Sequence, residues 1–301
     1  MKAIVVHEYG GPEVLKWEDY PDPVPGRGEV LVRVAAASVN PIDDKRRAGL
    51  TKDFYPIQFP GLIGIDMSGT VVKVGSGVET FTAGNRVFAM ADNTYAELCV
   101  VRAEVLADVP EGLDLLQAAA LPLVTTTGNQ LMSATGVTAG QTALVIGAAG
   151  SVGRSAVFTA KSRGATVIAG VLKRQIDDAK TVGADQYVGT DDDTAIANLP
   201  LVDAVADTVG GRTAEKLVAK VKPGGVFASV IGTPQNAADY PSVKAVFVFS
   251  KFDRETLEFM AEAVRDGKLV IPISLKLPLR EAAKAQATVE KGGVGKILLV
   301  V

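Results

Sequence analysis

The chain has 301 residues, 48% hydrophobic and 22% charged, which is enough for two ordinary cores and too apolar for bulk disorder. Its 31 Lys and Arg against 34 Asp and Glu leave a formal net charge of −3, with no nucleic-acid footprint. A single cysteine, Cys99, and a single histidine, His7, exclude an internal disulfide, a zinc site of four Cys or His ligands, and any histidine-dependent catalysis not centred on His7. No apolar run of about 18 residues is present, and His7 and Glu8 interrupt the opening run too early for a signal peptide. The expectation is a reduced, cytoplasmic protein with no membrane partner.

In chain order, the first third reads as β structure. Lys2–Val6, Val30–Ala37, Thr70–Val74, Arg86–Met90 and Tyr95–Val101 are short β-branched runs punctuated by Gly and Pro, as in a small barrel or curled sheet. From about Asp114 the texture changes. Leu115–Ala120 reads as a helix, Ala143–Ile146 as a strand, Ser151–Arg163 as a helix and Thr166–Val171 as a strand. Gln175–Val182 and Thr213–Val221 read as helices, with Val202–Ala206, Val226–Ile231 and Ala245–Phe249 as strands. This alternation predicts a parallel sheet covered on both faces, an α/β fold. Arg254–Arg265 and Arg280–Glu290 read as helices. The last strand, Lys296–Val301, does not fit the parallel order and is expected to return to the N-terminal region.

The sharpest local feature is Gly147-Ala148-Ala149-Gly150-Ser151-Val152-Gly153, between a strand and a helix. A turn without side chains lets backbone N–H groups approach a pyrophosphate, and the helix N-terminus adds unpaired donors and the positive end of its dipole. Gly150 and Gly153 hold the second and third places of the dinucleotide fingerprint; Ala148 holds the first, with Gly147 one residue earlier. NAD sites usually carry an acid about 20 residues on. Here Leu172-Lys173-Arg174 follows the strand, and two cations suit the 2′-phosphate of NADPH. Asp191-Asp192-Asp193 would oppose that reading if it folded nearby; it is expected to be a solvent loop.

These motifs, with Met1–Leu15, Val30–Asp43, Pro60–Val87, Ala118–Val124, Asp207–Gly211, Lys222–Gly225 and Gly295–Leu298, resemble the zinc-independent quinone oxidoreductase (zeta-crystallin-like) branch of the medium-chain dehydrogenase/reductase superfamily. The resemblance implies a GroES-like β-barrel domain over 1–120 and 266–301, and a Rossmann NADP-binding domain over 121–265, with the nicotinamide in the cleft between them. It implies hydride transfer from NADPH to small-molecule quinones or α,β-unsaturated carbonyl compounds. Where zinc-dependent relatives place ligands, this chain has Asn40, Ile65-Asp66 and Leu123, so no metal is expected.

The resemblance also nominates site residues. Asn40 could donate to the substrate oxygen or touch the nicotinamide ribose, or be a turn residue before Pro41. The charge run Asp43–Arg47 reads as a solvated face. Tyr55 could donate the proton that follows hydride attack, bind substrate, or only pack, with water as the other donor. Thr127 matches the family's nicotinamide-contacting threonine. Ile231, Phe247 and Phe249 could wall the nicotinamide, a buried strand being the plainer reading of the two Phe residues. Asn129, Thr190 and Asn85 depart from the family pattern. The competing readings are an enoyl-thioester reductase, with Lys45, Arg46 and Arg47 holding a CoA phosphate, and a non-catalytic, crystallin-like NADPH-binding protein. Edge strands near 226–249 could pair across a homodimer.

Overall fold

The computed structural model describes Met1–Gly293 and Gly295–Val301. In chain order the first stretch holds β1 (Lys2–Val6), β2 (Leu15–Asp19), β3 (Glu29–Val39), α1 (Pro41–Arg47), β4 (Gly61–Leu62), β5 (Asp66–Val74), β6 (Arg86–Met90), β7 (Leu98–Arg102), β8 (Ala107–Asp108) and α2 (Leu115–Ala119). The middle holds α3 (Pro122–Thr135), β9 (Thr142–Ile146), α4 (Ser151–Ser162), β10 (Thr166–Val171), α5 (Ile176–Ala179), β11 (Gln186–Gly189), α6 (Asp193–Ala197), β12 (Val202–Asp207), α7 (Gly211–Leu217), β13 (Val221–Ser229) and β14 (Lys244–Phe247). The end holds α8 (Arg254–Arg265), β15 (Ile273–Pro278), α9 (Ala282–Glu290) and β16 (Lys296–Val300).

The chain forms two compact units. Unit 1 comprises Met1–Leu123, Phe252–Asp266 and Ile271–Val301; unit 2 comprises Val124–Lys251 and Gly267–Val270. Helix α8 groups with unit 1, whereas the sequence boundaries put it in the Rossmann domain. Its apolar face is buried at Leu257, Met260 and Ala261. Arg254 reaches Asp108 at 3.8 Å and lies 5.3 Å from the Phe81 ring centroid, both in unit 1.

Unit 1 is built on a sheet ordered β15-β16-β3-β5-β6-β8, with β7 also on β3, and a small sheet β2-β1-β4. Strand β3 alternates buried and more exposed positions up to Val34, then is buried on both faces from Ala36. Its first half pairs with β7 and its second half with β16. The last strand thus joins unit 1, antiparallel to β3, as expected from its misfit with the parallel order.

Unit 2 is a six-stranded parallel sheet ordered β11-β10-β9-β12-β13-β14. Successive residues of β9 serve opposite faces, as the period of 2 demands. Ala143 and Val145 pack with Leu131 of α3, Ala156 of α4 and Ala179 of α5; Leu144 and Ile146 pack with Ile196 of α6 and Leu217 of α7. The predicted helix over 175–182 is shorter than expected: only Ile176–Ala179 is α-helical, flanked by 3₁₀ turns. The predicted helix over 213–221 begins at Gly211 and yields by Val221 to a strand. The strand order reverses between β9 and β12, the place where open α/β sheets bind ligands at their carboxyl edge.

Candidate active site

The glycine turn sits at that reversal. Gly147 takes the left-handed conformation, φ +77°, which explains why the first glycine stands one place before the usual fingerprint position. At Gly153 the reason is space, because a Cβ there would lie 2.2 Å from the Gly147 carbonyl oxygen. At Gly150 the nearest atom to a Cβ would be the same oxygen at 3.3 Å, so the turn is open on that side. Ser151, Val152 and Gly153 form the first turn of α4, whose N–H groups have no intrahelical acceptor. Ala148 and Ala149 supply the small side chains of the turn. An open turn of small residues leading into free N–H groups fits a dinucleotide pyrophosphate.

Helix α3 brings Thr127 beside this turn. A Cβ on Gly128 would lie 2.5 Å from Ser155 Cβ and 2.7 Å from the Val152 carbonyl oxygen, so α3 and the start of α4 pack closely. Thr127 is buried, with Oγ1 2.5 Å from Ser250 Oγ beyond β14. The loops after β12 and β13 meet the same edge. Asp207, wholly buried, accepts from the N–H groups of Val209 and Gly210 at 3.0 and 2.9 Å, and from Ser229 Oγ at 2.6 Å. Ile231, Phe247 and Phe249 are about half exposed, at 50, 52 and 57%, so the buried-strand reading of the two Phe residues is incorrect. Phe247 ends β14, the edge strand of the sheet, with Phe249 two residues beyond it; Ile231 lies two residues past the end of β13.

At the end of β10 the structure overturns another expectation. The 191–193 segment is not a detached solvent loop. Asp191 Oδ1 accepts from the Lys173 N–H at 2.7 Å, and Asp192 Oδ2 pairs with Lys173 Nζ at 3.0 Å. Thr190, where relatives were expected to differ, donates its N–H to Val171 O at 2.7 Å. Arg174 is exposed and has no ion pair or hydrogen bond among the described residues.

In unit 1, Asn40 and Asp66 lie together. Asn40 caps α1 and is 1% exposed. Its amide nitrogen donates to Asp66 Oδ2 at 2.9 Å and Ser38 O at 3.4 Å, and its oxygen accepts from Lys296 Nζ at 2.7 Å. Asp66 also accepts from Ser38 Oγ at 2.7 Å and Leu123 N at 2.9 Å, with Lys296 Nζ 3.6 Å away. The Asn40 side chain is therefore committed inside the protein. Burial lowers the Lys296 pKa from the ordinary lysine value, against the pull of the Asp66 and Asp43 carboxylates. Lys296 was legible only as the start of an apolar strand; the signal was a lone cation opening Lys296-Ile297-Leu298-Leu299-Val300, a strand that must sit inside a sheet.

The charge run after Asn40 is not a solvated face. Asp43, Asp44, Arg46 and Arg47 are all buried. Asp43 accepts from Asn40 N at 2.9 Å and Tyr95 Oη at 3.1 Å, and Arg47 donates to Gly10 O at 3.1 Å and Gln286 Oε1 at 2.8 Å. Of Lys45, Arg46 and Arg47, only Lys45 is exposed, which removes the basic patch of the thioester alternative.

Burial, reinforced by Asp66, pushes the Asp43 carboxyl up to about 7, against the Asn40 N–H and Tyr95 hydroxyl. Burial and then the neighbouring Asp43 push Asp44 up to about 8. Both values lie above the 3.8 of an ordinary aspartate, so the folded state holds these protons more tightly. Their contribution to stability is fully present below the unfolded value and is lost as pH rises through about 7 and 8. Melting temperature is expected to fall between about pH 4 and 8, the span from the unfolded value to the folded ones, and less steeply in Asp44→Asn. Equal slopes in the two proteins, by scanning calorimetry, would count against this assignment.

Tyr55 lines a cavity of about 630 Å³ with Arg46, Asp92 and Cys99. Its hydroxyl donates to Asp92, and the Arg46 guanidinium lies 3.9 Å from its ring centroid. Burial, with the Asp92 hydrogen bond next, raises the Tyr55 pKa well above the ordinary tyrosine value. Burial pushes the Cys99 thiol up to about 12, which leaves it protonated and unreactive.

Comparison with known proteins agrees with this construction. Residues 26–111 match the alcohol dehydrogenase GroES-like domain, and residues 182–299 match the zinc-binding dehydrogenase family. The chain is 31% identical to a chloroplast envelope quinone oxidoreductase homolog of Arabidopsis thaliana, over 99% of this chain and 98% of the relative. It is 34% identical to a chloroplastic NADPH-dependent alkenal/one oxidoreductase of the same plant, over 77% of this chain and 63% of the relative. The Escherichia coli quinone oxidoreductase structure, solved with NADPH, superposes with a TM-score of 0.88 at 27% identity, covering all of both chains.

Zinc does not fit the residues at its expected positions. The Asn40 amide oxygen is already taken by an ammonium, and the Asp66 carboxylate has that same cation 3.6 Å away, which repels a metal ion. The chain is an oxidoreductase enzyme and belongs to the quinone oxidoreductase branch of the medium-chain dehydrogenase/reductase superfamily.

Proposed function

We propose that the chain reduces small-molecule quinones or α,β-unsaturated carbonyl compounds with NADPH, without zinc, in the cytoplasm. The observation that carries the metal-free reading is the Lys296 ammonium between Asn40 and Asp66. NADPH would supply the hydride. The N–H groups of Ser151, Val152 and Gly153 would hold its pyrophosphate, with Ala148, Ala149 and Gly150 keeping that turn low. Lys173 and Arg174 would face the 2′-phosphate, and Thr127, Ile231, Phe247 and Phe249 would border the nicotinamide. Asn40 would act by its place in the buried cluster, since its amide is committed to Asp66 and Ser38.

Tyr55 suits a binding role better than proton donation. Its proton is held by Asp92, and its raised pKa makes it a weak acid. Water would then protonate the carbon left by hydride attack. Tyr55→Phe is expected to lower kcat/KM less than about tenfold, without moving the pH profile. Loss beyond about 100-fold, with the alkaline limb of that profile removed, would restore Tyr55 as the donor.

The reading is tested by NADPH oxidation against p-benzoquinone, enones and enoyl thioesters, with and without a chelator. Turnover with quinone or enone, indifferent to chelator, is expected. Failure to bind either NADPH or NADH in a fluorescence titration would sink this cofactor assignment. Tight binding with no turnover on any of these acceptors would overturn the proposed substrate class.

A further inference from the structure

We propose that Asp191 and Asp192 make the adenosine-ribose end of the site accept NADH as well as NADPH. This rests on the dinucleotide reading above and adds the determinant of cofactor choice.

An NAD site commonly places a carboxylate at the end of the second strand, where it accepts from the ribose 2′-hydroxyl. In this chain the end of β10 carries Leu172-Lys173-Arg174 and no acid. A carboxylate stands there nonetheless, delivered by the neighbouring strand. The loop after β11 is fastened to the end of β10 by Thr190 N to Val171 O, 2.7 Å. Next to that anchor, Asp191 Oδ1 accepts from the Lys173 backbone N–H at 2.7 Å. Residue 189, glycine, lies under this contact: a Cβ there would be 3.3 Å from Lys173 Cβ, a tight fit, and 3.5 Å from Asp191 Oδ1, an ordinary one.

Asp192 engages the other end of the same lysine. Its Oδ2 lies 3.0 Å from Lys173 Nζ, while Oδ1 accepts from the N–H groups of Thr194 and Ala195, both at 3.1 Å. Those two N–H groups fix the carboxylate in place at the start of α6. A 2′-phosphate must therefore compete for Lys173 with a carboxylate already bound, and must tolerate two nearby negative charges. Arg174 is the cation left to favour the phosphate, since no partner holds it among the described residues. One arginine favouring NADPH against two aspartates favouring NADH gives a site of weak discrimination. A bare Lys-Arg pair would select NADPH strongly.

The test uses the full chain and equilibrium binding, by calorimetry, of NADPH, NADH and 2′,5′-ADP. Wild-type affinities for NADPH and NADH are expected to lie within about tenfold of each other. Asp192→Asn keeps an amide oxygen for the helix cap, since Asn is a good N-cap residue, and removes the charge. It is expected to tighten NADPH and 2′,5′-ADP by roughly five- to tenfold and to leave NADH within about twofold. Asp191→Asn is expected to move the NADPH-to-NADH ratio the same way, mainly by weakening NADH. Arg174→Ala should weaken NADPH and 2′,5′-ADP and spare NADH.

An unchanged ratio in both Asp variants, with Arg174→Ala still selective against NADPH, overturns this inference and leaves the dinucleotide reading standing. A wild-type preference for NADPH above about 100-fold overturns it as well. Binding of neither dinucleotide overturns the dinucleotide reading and this inference together, whereas an Arg174→Ala protein with unaltered affinities overturns this inference alone.

Discussion

Lys296→Met is expected to cost about 3–5 kcal/mol of stability, the penalty for leaving a buried charge without its partner. The substitution keeps most of the side-chain volume, so little of the loss comes from packing. What disappears is the cation beside the Asp66 carboxylate and the donor to Asn40 Oδ1. Asp66 keeps three donors, Ser38 Oγ, Asn40 Nδ2 and Leu123 N, but loses its counter-charge in a site with no exposure. The urea midpoint reports the change, provided the slope of the transition is unaltered. The double variant Lys296→Met/Asp66→Asn removes both charges and should recover a substantial part of the loss. Equal losses in the single and double variants would mean that the ammonium does not compensate the carboxylate. Turnover should fall in the single variant too, because the end of β3 and the start of α1 share this cluster.

Gly153→Ala is expected to weaken NADPH binding on the order of 100-fold, with a stability cost of about 1–3 kcal/mol. The added Cβ would meet three backbone atoms, the Gly147 oxygen at 2.2 Å and Ala148 Cα and the Gly147 carbonyl carbon at 2.7 Å, and none can swing aside. Relief requires the first turn of α4 to move away from β9, which carries the N–H groups away from the pyrophosphate. Gly150→Ala is the control. Its Cβ meets only the Gly147 oxygen, at 3.3 Å, and its φ of −74° suits any residue. Thermal stability should stay within about 0.5–1 kcal/mol while NADPH binding weakens, because the new methyl faces the open side of the turn. Wild-type affinity in both variants would remove the turn from the binding site.

Local patterns carried much of this architecture. The strand–turn–helix around Gly150 is contiguous in sequence, and β9 and β10 are short apolar runs between clear breakers, so both the Rossmann sheet and its ligand edge were readable. The charged segment after Asn40 was misread because its environment comes from far along the chain. Tyr95, Gln286 and Glu290 neutralise or bond Asp43 and Arg47, and nothing near positions 43–47 announces them. Asp191 posed the same difficulty in smaller form. Its charge was plain, but its position at the end of β10 follows from the pairing of β10 with β11, which a linear reading cannot place. Lys296 was hidden by its company, four apolar residues that describe a strand and say nothing of the buried polar partners, Asn40 and Asp66, beside it.

The position of β16 between β15 and β3 has a consequence for how the chain is made. Unit 2 draws nearly all its residues from one uninterrupted run, Val124–Lys251, and can condense while later residues are still being synthesised. Unit 1 cannot. Its interior strand β16 carries Lys296 and pairs Ile297 with Val39, a closure across most of the polypeptide. Until that strand arrives, the second half of β3 offers unpaired backbone groups to any passing strand. Until β16 is made, that edge of β3 is open to aggregation, and a chaperone acting on the nascent chain would need to hold β3 until β16 pairs with it.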